Sequence, residues 1–116
     1  MTATPTSDYT PPVPSPGQNR KSVAVVGAGP AGLCAAKYML AAGFDVTLYE
    51  AGSSVGGLWV YDSDSGLSSA YKTLHINTDK YITQFEDFPL AETASVFPHH
   101  TEMRKYLEDY ATTFGL

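Results

Sequence analysis

At 116 residues and a formal net charge of −5, the chain is long enough for one small domain with a modest core. Its acidic balance, without clustered Lys and Arg, argues against a nucleic-acid partner. No apolar run reaches the ~18 residues a bilayer span requires, and a single cysteine, Cys34, excludes a redox cysteine pair.

Residues 1–20 carry five of the eight prolines among Thr, Ser and Gly, a composition that buries too little apolar surface to order. They read as a disordered leader. With no apolar signal core, and with Arg20 its only basic residue, a cytoplasmic location is expected. Ser22 to Val26 is a short β-branched run suited to a strand buried on both faces. Gly27, Gly29 and Gly32 follow with the spacing of a GxGxxG fingerprint, Pro30 falls near the first position of a helix, and Gly43 supplies its stop. The spacing assigns Gly27 to a tight turn, Gly29 to close approach of a pyrophosphate, and Gly32 to helix packing on the sheet. A second strand at 46–49 ends in Glu50, eighteen residues after Gly32, where a carboxylate can accept from ribose hydroxyls and repel a 2′-phosphate. This order makes a Rossmann-like βαβ unit for the adenosine of FAD or NAD.

Beyond Glu50, the polar loop from Trp59 to Leu74 has no periodicity, and Asp62 and Asp64 read as solvated. His99 and His100 are expected to point to different sides, a poor chelating pair, so no metal site is expected. His75 reads as a packed histidine, and Cys34 as a small buried hydrophobe. From Thr101, apolar residues at 103, 106, 107, 110, 111 and 114 predict an amphipathic helix. Thr101 is expected to cap it and Gly115 to end it, with Glu102 among the residues on its wet side.

Glu50 is followed by paired glycines in a GGLW segment at 56–59. Together with LHINTDKYITQFEDFP at 74–89 and FPHHTEMRKYLEDYATTFGL at 97–116, this resembles the flavin-containing monooxygenases over residues 22–116. Baeyer–Villiger monooxygenases, which commonly show GGTW, and amine oxidases, which usually place arginines where Ser54 and Leu58 stand, fit less well but stay as alternatives. So does a non-catalytic truncated fragment.

The resemblance implies FAD held by Gly27, Ala28, Gly29, Pro30, Ala31 and Gly32 at the pyrophosphate, Glu50 at the ribose, and Gly57, Leu58, Trp59 and Thr78 along the rest. Asn77 aligns with an asparagine that contacts flavin and nicotinamide in that family and helps hold the oxygenated flavin. NADPH would reduce FAD, oxygen would add at the flavin C4a, and a soft nitrogen or sulfur nucleophile of a small-molecule substrate would take the distal oxygen. Residues 21–116 would be the N-terminal part of an FAD-binding domain in the two-dinucleotide-binding-domain flavoprotein fold. That domain is expected to be incomplete in this chain, inactive alone, prone to self-association, and with most of the NADPH site elsewhere.

Overall fold

The computed structural model describes residues 20–116, so all of the expected leader but Arg20 lies outside the described residues. Val23, Val25, Val46 and Leu48 are the more buried residues of an alternating pattern, the period of two of the parallel strands β1 (Ser22–Val26) and β2 (Asp45–Tyr49). Their register pairs Val23 with Val46 and Val26 with Tyr49. Parallel strands need a crossover, which is helix α1 (Pro30–Ala41). Pro30 opens it where a missing N–H costs nothing, and the Gly43 N–H donates to the Leu40 carbonyl at 2.9 Å just past its end. The β1–α1 step is tight: a Cβ on Gly32 would stand 1.8 Å from the Gly27 carbonyl oxygen.

A 3₁₀ turn over Gly57–Trp59 follows β2, then the one-turn helix α2 (Lys80–Thr83) and the long helix α3 (His100–Phe114). α1 contacts both strands and also α3. The core lies on the α3 side. Phe88 sits edge-on to Tyr110, with ring centroids 5.4 Å apart, and packs with Tyr106 and Phe114. The Tyr106 hydroxyl accepts the Phe85 N–H at 2.8 Å and donates to the Phe88 carbonyl. Burial pushes its pKa up to about 12. Lys37 of α1, 3 % exposed, forms an ion pair with Asp87 and lies 4.5 Å from the Phe114 ring centroid. Desolvation lowers its pKa.

The apolar stripe of α3 faces the core at every expected position: Met103, Tyr106, Leu107, Tyr110, Ala111 and Phe114 are all buried. Gly115 ends the helix in the left-handed region. Its start differs from expectation. His99, not Thr101, is the cap: its imidazole accepts the Thr101 N–H at 3.3 Å, and Glu102 closes a capping box by accepting the His99 N–H at 2.9 Å. Glu102 is therefore half-buried and bonded rather than fully on the wet side. The strands depart from expectation as well. β1 is not buried on both faces, because α1 covers only the side of Val23 and Val25, and Val26 on the other side is 86 % exposed. Cys34 is half-buried.

Gly32→Ala is expected to cost about 3 kcal/mol, the upper range for overpacking, because the clashing atom is backbone. Gly29→Ala, whose Cβ would meet Gly57 Cα at 3.6 Å, should change stability far less. Urea unfolding of the two variants reads the difference.

Candidate functional site

Where β1 ends, Gly27 takes φ 96°, a conformation costly for any side chain but open to glycine. Its N–H still donates to the Tyr49 carbonyl at 2.7 Å, so the two strands end together. Glu50 then turns its carboxylate across the gap. Oε2 accepts the Ala28 N–H at 2.7 Å and Oε1 the Gly52 N–H at 2.9 Å. These bonds, Gly52 contributing most and Ala28 next, hold its pKa below the ordinary value despite opposing desolvation. A carboxylate offers about four lone-pair sites, so both bonds leave acceptor capacity for a ligand.

The Gly56 N–H donates to the Ala28 carbonyl at 2.9 Å and draws the 3₁₀ turn onto the glycine turn. Gly29 and Gly57 then meet backbone to backbone, since a Cβ on Gly57 would lie 2.9 Å from Gly29 Cα. The result is an open cleft of about 480 Å³ lined by Gly27, Gly29, Glu50, Gly57 and Leu58, among others. Leu58 is also a wall of a second cleft of about 380 Å³, which Pro30, Trp59 and Thr78 help to line. Side chains of Asp79 and His99 cap α2 and α3, whereas α1 begins at Gly29 with no side-chain cap. The first-turn N–H groups of α1 thus form an anion-accepting end beside the first cleft.

Not every residue expected at the site lines a cleft. Ala28 is buried and serves through its backbone, Gly32 packs on Gly27, and Ala31 is exposed at the start of α1. Asn77 is exposed and lies between Ile76 and Thr78, which line the second cleft, without being among its lining residues. Thr78 shares a hydroxyl bond of 2.7 Å with Thr83. His75 is exposed rather than packed inside, and its ring meets His99 edge-on.

The His99 and His100 rings do not diverge: their centroids are 4.1 Å apart, and the Nε2 atoms lie 3.0 and 3.1 Å from the Lys72 carbonyl oxygen. His99 is extended and His100 helical, which removes the alternation expected of an extended pair. Among the described residues no group of three or more His, Cys, Asp or Glu could hold a metal ion. Lys80, to which composition attached no role, is buried and donates to the Glu92 and Ala94 carbonyls at 2.6 and 2.9 Å, fastening that loop to α2.

Because the native Glu50 pKa lies below the ordinary value of 4.5, the unfolded chain binds the proton more readily. The stability it contributes is present above about pH 4.5 and lost as pH falls through the native value. Thermal midpoints between pH 7 and 3 should fall less steeply below that point in Glu50→Gln than in the parent chain.

The Flavin-binding monooxygenase-like family matches residues 20–116. Flavin-containing monooxygenase 5 of Oryctolagus cuniculus is 38 % identical over 98 residues, covering 83 % of this chain and 18 % of its own length. The structure of S-allyl-L-cysteine S-oxygenase from Allium sativum aligns with a TM-score of 0.74 at 34 % identity, covering 83 % of this chain and 26 % of that one. OTEMO, solved in complex with FAD and NADP, aligns at 0.68 and 26 % identity, covering 84 % and 18 %. These likenesses identify β1–α1–β2 as the Rossmann-type unit of the flavoprotein fold with two dinucleotide-binding domains. The match runs through the glycine turn, the GGLW loop and α3, and the chain belongs to the flavin-binding monooxygenase-like family.

Proposed function

We propose that this chain binds FAD as part of an NADPH- and O2-dependent monooxygenase that oxygenates soft nitrogen or sulfur nucleophiles. The observation that carries the reading is the junction of three groups at one cleft: the uncapped start of α1, the Gly29–Gly57 approach and the Glu50 carboxylate. These fit a dinucleotide. The α1 amides suit a pyrophosphate, the side-chain-free approach admits it to the backbone, and Glu50 has lone pairs for ribose hydroxyls. Family membership favours FAD over NAD, in line with a relative solved with FAD and NADP.

When bound, FAD would supply the redox chemistry that couples NADPH and O2 to oxygenation of the substrate, one oxygen atom going to the nucleophile and the other to water. The chain's residues position and shield. Leu58 lines both clefts, and Trp59 and Thr78 border the second. Asn77 beside it is neutral, so it can donate one hydrogen bond and accept another without delivering a proton. Among the described residues no helix is long and apolar enough to cross a membrane, and a cytoplasmic location belongs to the same reading.

Flavin fluorescence titration tests the reading. Glu50→Ala should weaken FAD binding by about 1.5 to 3 kcal/mol, roughly 10- to 150-fold in Kd, through lost hydrogen bonds to a charged acceptor. Unchanged affinity would remove the ribose assignment. Asn77→Leu should leave FAD affinity within about twofold of the parent. In NADPH oxidation assays on a protein carrying the remaining family segments, this variant should divert electrons to hydrogen peroxide, and full coupling would remove Asn77 from that role.

A further inference from the structure

The polar stretch after Trp59 is fastened to the nucleotide cleft. Asp64 Oδ1 accepts the Ser53 N–H at 2.9 Å, on the same turn that Glu50 holds through the Gly52 N–H. The two segments are in close contact, since a Cβ on Gly52 would lie 3.1 Å from Asp64 Oδ1 and 3.2 Å from Ser63 Oγ. The Ser53 amide bond, first among several, holds the Asp64 carboxyl below its ordinary range. While Asp64 faces this turn, its neighbours Ser63 and Ser65 line the cleft with Glu50.

Ser63 Oγ accepts the Ser65 N–H at 3.3 Å, Ser65 Oγ accepts the Leu67 N–H at 3.2 Å, and the two hydroxyls share one bond of 2.9 Å. Each hydroxyl carries one donor and two lone pairs, so one O–H and one lone pair remain beyond these bonds. A donor beside an acceptor complements a ribose hydroxyl or the polar edge of adenine. Leu67, 81 % exposed on the same wall, offers apolar surface to a flat base.

We infer that Ser63 and Ser65 bind the adenosine half of the dinucleotide, and that Asp64 is the positioning residue that holds them in place. This rests on reading the cleft as the FAD site.

The test compares a protein carrying this chain together with the remaining family segments with its Ser63→Ala/Ser65→Ala, Asp64→Ala, Asp64→Asn and Glu50→Ala variants. Readouts are FAD affinity by fluorescence, competition by ADP and by riboflavin, and amide exchange at Ser53 without ligand. The double serine variant and Asp64→Ala should each weaken FAD and ADP binding about five- to twentyfold while leaving riboflavin unaffected. Asp64→Ala should also speed Ser53 exchange by about tenfold. Asp64→Asn should restore both readouts, because its amide oxygen accepts the same N–H. If Glu50→Ala weakens FAD while the serine variant does not, the serine assignment is overturned and the FAD reading stands. If Asp64→Ala leaves Ser53 exchange unchanged, the positioning role is overturned. Absence of FAD binding by the parent protein overturns the FAD reading and this inference with it, whereas an ineffective Glu50→Ala removes the ribose assignment and, with it, the adenosine placement proposed for the serines.

Discussion

The Glu50 carboxylate fastens three pieces of chain to one another where the paired strands end. It sits at the end of β2, draws in the Ala28 amide from the glycine turn, and holds the Gly52 amide of the turn that follows. Without an acceptor between them, two amide donors at the floor of an open cleft would be left to water. With it, the glycine turn has a fixed distance from the 51–54 turn, and the GGLW segment can dock through the Gly56 N–H on the Ala28 carbonyl. The cleft is thus built by hydrogen bonds at its floor, whereas the rest of the molecule is held by aromatic packing.

That packing lies on the far side of α1. Phe88, Tyr106, Tyr110 and Phe114 form a cluster in which the Tyr106 hydroxyl satisfies the Phe85 and Phe88 backbone. The Lys37–Asp87 pair ties α1 to the same loop. Because α1 touches both the cluster and the strands, the core on one side sets the position of the uncapped helix end beside the cleft on the other.

Much of this was legible in the residues where the signal is local. The β-branched run, the Gly27–Gly29–Gly32 spacing and Pro30 specify strand, turn and helix within a short stretch, and the α3 stripe shows its buried face by period alone. The features that escaped depend on distant partners or on unusual chemistry. β1 read as doubly buried because its composition suits a central strand, but burial depends on which layers cover it. An imidazole lies outside the usual set of capping side chains, so His99 gave way to Thr101 in the reading. Lys37 and Asp87 stand far apart in the chain, and no pattern pairs them in advance. The same holds for Asp64 and Ser53. The Gly–Ser-rich composition of their segments correctly signals turns but carries no information on which turns touch.

The rim of the first cleft exposes a good deal of apolar side chain to water: Val26 is 86 % exposed, Leu67 81 %, Tyr49 57 % and Leu58 48 %. Most of the directional bonding in the cleft comes from its floor, so its affinity has two sources with different thermal behaviour. Covering the rim removes apolar surface from water and lowers the heat capacity of the system, while the amide and carboxylate contacts contribute mainly enthalpy. Calorimetric binding enthalpy at this cleft will therefore become more favourable on warming, with the slope reporting how much of the rim the ligand covers.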